Sequence, residues 1–250
     1  MKEYNLYSID GVEIPFSPNW NDIAISLSGG ADSALLAYLL CELVEQYNKE
    51  INIHLISHIR MWKTRPWQQY DANRIYQYLT QLFPNLKFIR YTNFIAPDLE
   101  YGFIGHSIND EYGKQVSGDN IQIRAYSEYV CYHNKVNAYY NAVTRNPKNV
   151  DFSLDGMDRR DIEPTDDNTH LQLMVHMNVL VSHPFRFTEK SWVIKQYKSK
   201  NLMDLFNLTR SCEGDFKNLD YVTYIPYQDV PVCNNCFWCK ERNWAIEQNK

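Results

Sequence analysis

Apolar and polar positions change period along the first ninety residues, and each change marks an element. Residues 23–27 (IAISL) form a short apolar, β-branched run that predicts a strand. From Ser33 the chain reads SALLAYLL, the start of a helix that runs to about residue 47. Residues 51–57 (INIHLIS) alternate, which predicts a second strand, outer or partly solvated. Pro66 opens a helix through Ile75 and Leu79 to Phe83, with Pro84 as its stop. Residues 86–91 predict a third strand. Strand and helix in alternation imply α/β architecture: a doubly wound, Rossmann-like parallel sheet with right-handed crossovers.

The pattern is less regular elsewhere. Residues 1–20, with Pro15 and Pro18, read as an entry segment with one edge strand. Residues 92–117 are polar and read as a long loop, a length that often carries function. A helix is expected over about 119–143, a fourth strand over 150–154 and an acidic loop over 155–169. Residues 171–181 are apolar and fit helix or strand equally. Pro184 interrupts, and Thr188 is positioned to cap a helix over 189–200.

Composition narrows the class. The chain has 250 residues, 44% hydrophobic, enough for one large domain or one domain with an appendage. No stretch approaches the roughly 20 apolar residues of a membrane span, and the N-terminus lacks a signal-like apolar segment, so a cytoplasmic protein with no membrane partner is expected. A net charge of −5 offers no broad footprint for a nucleic-acid backbone. The 19 tyrosines read as amphipathic filling of half-buried surface.

The chemistry starts where the first strand ends. Ser28-Gly29-Gly30-Ala31-Asp32-Ser33 joins that strand to the first helix. Glycines allow a tight turn, the unpaired N–H groups of a helix start face an anion, and two serine hydroxyls add donors. Asp32 is a hard oxygen ligand suited to Mg²⁺. The lysine that a Walker P-loop needs after its second glycine is missing. The plainer reading is a surface turn with Asp32 or Ser33 as N-cap. In an open doubly wound sheet, ligands bind at the strands' C-terminal edge, so parts of 58–66, 92–117 and 155–170 should face the same cleft.

The string SGGADS resembles the SGGxDS pyrophosphate loop of the N-type ATP pyrophosphatases, also called PP-loop or adenine nucleotide α-hydrolase-like enzymes. These adenylylate an oxygen of a substrate, release pyrophosphate and let a nucleophile displace AMP.

A second cluster lies near the C-terminus. Cys233, Cys236 and Cys239 make two overlapping C-x2-C steps, and twenty residues separate Cys212 from Cys233. Four thiolates at this spacing suit a structural, tetrahedral Zn²⁺. An iron–sulfur cluster or a redox pair remains open, while disulfides do not fit a chain without an export signal. Cys41 and Cys131 read as buried small hydrophobes.

Both ends of the chain together resemble 7-cyano-7-deazaguanine synthases. The likeness rests on TRSCEG followed by CNNCFWCKERNWAI, on His183-Pro184-Phe185 with Lys190 and Ile194, and more weakly on Gly118-Asp119-Asn120. Arg210 stands where that family commonly has tryptophan, the Cys212–Cys233 gap is longer, and residues 154–160 poorly match its SGYPDCR-like segment.

The resemblance implies a nucleotide-binding domain over 1–185 and a helical, metal-binding region over 186–250. It implies an ATP-dependent C–N ligase of deazapurine (queuosine) biosynthesis that uses ATP, Mg²⁺ and Zn²⁺. Such an enzyme adenylylates 7-carboxy-7-deazaguanine, couples it to ammonia and carries the amide on to a nitrile. Ser28, Gly29, Gly30 and Ser33 would hold pyrophosphate, and Asp32 the Mg²⁺. Lys190 would neutralise phosphate charge, or be a solvated lysine in a helix's first turn. Arg159 and Arg160 would take the carboxylate, or belong to a charged loop. A homodimer is an open option. Two other functions stay in view: the same adenylylation aimed at a different acceptor for amidation, thiolation or conjugation, and a non-catalytic zinc-binding adaptor.

Overall fold

The computed structural model describes residues 3–47, 50–60, 67–95, 108–109, 115–116, 118–147, 150, 171–174, 178–212 and 231–250. A six-stranded sheet organises them. It comprises β3 (Asp22–Ser26), β4 (Asn52–Arg60), β5 (Lys87–Ile95), β8 (Ala138–Tyr140), β9 (Leu171–Met174) and β10 (Val179–Ser182), in the order β5-β4-β3-β8-β10-β9. The first five strands of that row run parallel, and β9 pairs antiparallel with β10.

Chain order reverses across β3: β4 and β5 build outward on one side, β8 and β10 on the other. The crevice at the C-terminal end of β3 is therefore a topological switch point. Register places Ile23 beside Ile53 and Ala138, and Ile25 beside Leu55 and Tyr140.

Helices cover both faces because β3 is apolar on both. Ile23 and Ile25 join α1 (Ala31–Gln46), α2 (Gln68–Leu82) and α4 (Lys190–Ser199) in the main core. The same core takes in Leu205 and Phe206 of α5 (Met203–Asn207) and Ala245 of α6 (Phe237–Glu247). Ala24, on the opposite face, packs with Val130 and Cys131 of α3 (Gly118–His133). Among the described residues no helix is long and apolar enough to cross a membrane.

Several local expectations change. The entry segment is a hairpin, β1 (Asn5–Ile9) with β2 (Val12–Phe16), not a single edge strand. Asp10 and Gly11 turn it with φ of 47° and 82°, the geometry that suits an Asp-Gly turn. β4 is an interior strand, flanked by β3 and β5. Its polar positions are internally bonded instead of solvated: His54 Nε2 lies 2.8 Å from Asp22 Oδ1, and His58 lies 3.0 Å from Ser127 and 3.2 Å from Asn93.

The helix expected to reach residue 143 ends at His133. Asn134 Nδ2 donates to the Val130 carbonyl at 2.8 Å, Lys135 takes φ of 51°, and Val136 N donates to the Cys131 carbonyl at 2.9 Å. That left-handed closure stops the helix, and the freed chain becomes β8, the strand that pairs with β3. The strand expected over 150–154 lies, beyond Val150, outside the described residues; Val150 is not in a strand. The ambiguous segment 171–181 contains β9 and β10. Thr188 does not cap α4, because its hydroxyl donates to the Phe185 carbonyl at 2.9 Å, and Glu189 holds the cap position without a side-chain bond. The remaining pair, β6 (Ile108–Asn109) and β7 (Gln115–Val116), is antiparallel.

Candidate active site

The 28–33 turn is clamped at its root. Leu27 N donates to the Ile56 carbonyl at 2.7 Å, and the Ser57 hydroxyl donates to the Leu27 carbonyl. Gly29 then takes φ of 81°, and the first turn of α2 packs against it. A Cβ at this position would stand 3.2 Å from the Gln68 carbonyl oxygen and Asp71 Cβ, and 3.3 Å from Ala72 N. Glycine is required here twice over, by conformation and by space.

The two serines close the turn from within. Ser33 Oγ accepts from Ser28 N at 3.1 Å, lies 3.0 Å from Ser28 Oγ and donates to the Gly30 carbonyl at 3.1 Å. Gly30 is the N-cap of α1, with no side-chain cap, and neither Asp32 nor Ser33 fills that role. The first N–H groups of α1 thus have no side-chain cap, the arrangement that lets a helix start receive an anion.

Asp32, in the first turn of α1, is met by a residue 158 positions away. Lys190 Nζ pairs with Asp32 Oδ2 and lies 3.8 Å from Glu241 Oε2. Lys190 is only 2% exposed, so it is not a solvated lysine; Glu241 is fully buried. Asp32 Oδ1 is buried and has no hydrogen-bond partner among the described residues. The Tyr197 hydroxyl donates to the Ala31 carbonyl at 2.7 Å and ties α4 to the start of α1. Burial, with the Asp32 charge adding to it, raises that phenol well above its ordinary pKa.

Residues 209–212 form the neighbouring wall. Arg210 N donates to the Gly29 carbonyl at 2.9 Å, and the Arg210 guanidinium lies 3.8 Å above the Trp67 ring. Trp67 Nε1 donates to the Cys212 carbonyl at 3.0 Å. Arg242 lies 3.9 Å above Phe206 and donates to Thr209 Oγ1 at 2.8 Å. Burial lowers the Arg242 pKa and raises that of Asp71 to about 6.

This wall ends in the cysteine cluster. The Sγ atoms of Cys212, Cys233, Cys236 and Cys239 all lie within 4.8 Å of one another, with Cys212–Cys233 at 3.5 Å and Cys233–Cys239 at 3.8 Å. None of the six cysteines is in a disulfide. Four thiolates at about 2.3 Å from a single tetrahedral ion stand about 3.8 Å apart, so the donor set fits one such metal. Hydrogen bonds from Cys236 and Cys239 hold the Cys212 thiol below its ordinary pKa, and the same bonds push the Cys239 thiol up.

The structure therefore brings Ser28, Gly29, Gly30, Asp32, Ser33 and Lys190 together, with the four cysteines one wall away. Arg159 and Arg160 lie outside the described residues. Glu241, Asp71, Trp67 and Arg242 were not singled out from sequence, and Arg210 was noted only as a departure. One signal was present for Glu241. Phe237, Glu241 and Ala245 recur at four-residue steps and are all buried, so a carboxylate interrupts an apolar helix face and calls for a cation.

No family model matches the chain, and no curated protein sequence does. Among solved structures, phosphoadenylyl-sulfate (PAPS) reductase from Candida auris, in a phosphate complex, aligns at 9% identity and a TM-score of 0.41 over 81% of this chain and 85% of that one. The U34-tRNA thiolase NcsA from Methanococcus maripaludis, with its [4Fe-4S] cluster, aligns at 13% identity and a TM-score of 0.41 over 91% of this chain and 64% of that one. Alignments at that level carry no argument. The chain's own topology shows a doubly wound α/β protein with a glycine turn and an uncapped helix start at its switch point, and a four-cysteine centre that can hold a metal.

Proposed function

We propose that the chain is an ATP-dependent adenylylating enzyme of the PP-loop type. The observation that carries this reading is the loop itself: the uncapped start of α1 and a buried lysine meet at Asp32, at the edge of the switch strand. The N–H groups of the turn and Lys190 would hold the departing pyrophosphate. An acceptor carboxylate oxygen attacks the α-phosphorus, the bond from that phosphorus to the bridging oxygen breaks, and pyrophosphate leaves. Ammonia then attacks the acyl carbon, and AMP departs with the electron pair. Positioning and charge stabilisation are what the protein supplies. Asp32 would hold Mg²⁺, whose role is to offset phosphate charge. The four cysteines would hold Zn²⁺, whose role is to fix the wall that carries Arg210.

The acceptor we infer is 7-carboxy-7-deazaguanine, on the resemblance at both ends of the chain. A second reading changes only the nucleophile, to sulfur. The cluster fits it equally, since Cys212 is two residues from Arg210, which donates to the Gly29 carbonyl. Cys41 and Cys131 do not serve it, because burial pushes the Cys41 thiol up and the Cys131 thiol to about 12.

The test supplies ATP, Mg²⁺, ammonia and 7-carboxy-7-deazaguanine, follows pyrophosphate and identifies products by mass spectrometry. A nitrile or amide product is expected, with pyrophosphate release down at least about 100-fold in Asp32→Ala. No pyrophosphate from the wild type would favour the non-catalytic adaptor, and equal release from the variant would take Asp32 out of the chemistry.

A further inference from the structure

A pocket of about 370 Å³ opens beside the loop, between α2, residues 207–212 and α6. Its volume falls within the range of small-molecule sites. Two of its lining residues are also contacts of Gly29. Arg210 donates to the Gly29 carbonyl, and Asp71 Cβ stands against the glycine's missing side chain. The pocket therefore begins where the pyrophosphate loop ends.

Its charged lining is uneven. Arg74, Arg210 and Arg242 face one carboxylate, Asp71. Asp71 is only 5% exposed, and its Oδ2 is buried with no hydrogen-bond partner among the described residues. The ion pair it makes is loose: Arg74 Nη1 lies 3.9 Å from the other carboxylate oxygen. A buried carboxylate oxygen without a donor is costly unless a ligand supplies one. Burial, opposed by the charges of Arg210, Arg74 and Arg242, leaves this group with a pKa of about 6. Thiolates on a bound metal would draw on part of the Arg242 charge, since Cys239 is among its electrostatic neighbours. Arg74 stands on the other wall, on the same helix as Asp71.

We propose that this pocket is the acceptor subsite, taking a small organic acid whose carboxylate lies among the guanidinium groups and whose N–H edge donates to Asp71 Oδ2. The assignment deepens the proposed function and rests on that reading for the word acceptor. The pocket and its orphaned oxygen stand without it.

The experiment titrates 7-carboxy-7-deazaguanine, which carries both a carboxylate and N–H donors, into the full chain without ATP. Asp71→Asn and Arg74→Ala are compared with the wild type, and ATP is titrated separately. Each substitution should weaken the acid by about tenfold or more and leave ATP within about twofold. Asp71→Asn should also melt no lower than the wild type at neutral pH, because it removes a buried charge. A structural carboxylate would give the opposite, a lower melting point with unchanged affinity for the acid. Three results overturn the subsite: no binding of the acid to the wild type, binding indifferent to both substitutions, or a parallel loss of ATP, which would give the pocket to the nucleotide. Pyrophosphate is not read here. Acid binding that depends on Asp71 in a protein that never turns over keeps the subsite and defeats only the adenylylation.

Discussion

The 28–33 turn and the cysteine cluster are both short motifs, yet they are built by opposite means. The turn is backbone geometry. Its specificity lies in a left-handed glycine, an uncapped helix start and two serines spent on closing the loop. The cluster is side-chain chemistry, four sulfurs drawn from two segments twenty residues apart in sequence. Arg210, Trp67 and Cys212 join the two through three contacts. One site thus combines a part that tolerates almost no added atom with a part whose four sulfurs could be ordered by a bound ion.

Metal removal should break the comparison most severely. Structural thiolate sites contribute on the order of 10 kcal/mol to folding in small zinc domains. Chelation, or Cys236→Ser, should lower the melting temperature by roughly 10 °C or more and cost ATP affinity as well, through the shared wall. Analysis of the released metal identifies the ion. A melting point unmoved by either treatment would mean that the thiols hold the wall alone.

Lys190→Met comes next. It leaves Asp32 and Glu241 as buried carboxylates with their shared cation gone, at a cost of about 3–5 kcal/mol. Denaturant melts check this, and partial rescue by Glu241→Gln in the double variant would show that the repulsion is real. Gly29→Ala should cost about 1–3 kcal/mol through its φ and its crowding of α2, while phosphate-dependent binding falls much further. This disproportion is the signature of a backbone-built site; a loss of binding no greater than the loss of stability would erase it.

The smallest effect concerns pH. Asp71 has its pKa raised from 3.8 to about 6 by burial, so the folded state favours its protonated form. Its contribution is most favourable below about pH 4 and is lost as pH rises through about 6. Asp71→Asn should flatten that part of a melting-temperature profile in the ligand-free protein. An unchanged slope would show that Asp71 ionises as freely folded as unfolded.

The same contrast explains what could be read from sequence. β3, α1, β4, α2 and β5 are long, periodic and locally punctuated, and the loop and the four cysteines are local in spacing. The strand that completes the switch point was missed because β8 is three residues long, Ala138–Tyr140. Nothing in so short a run separates it from the helix before it, and the left-handed Lys135 that ends that helix leaves no compositional mark. Lys190 was legible through a resemblance, beside the equal alternative of a solvated lysine in a helix's first turn. Its burial depends on Glu241 and Asp32 arriving from other helices. Asp71 and Trp67 lie in a helix start that reads as ordinary until Gly29 is packed against it.

The most direct measurement is a structure with Mg²⁺ and an α,β-methylene analogue of ATP. The account predicts the terminal phosphates against the N–H groups of residues 29–33, with Lys190 turned from Asp32 towards them. A triphosphate bound elsewhere, with the turn and the Lys190–Asp32 pair unchanged, would contradict it.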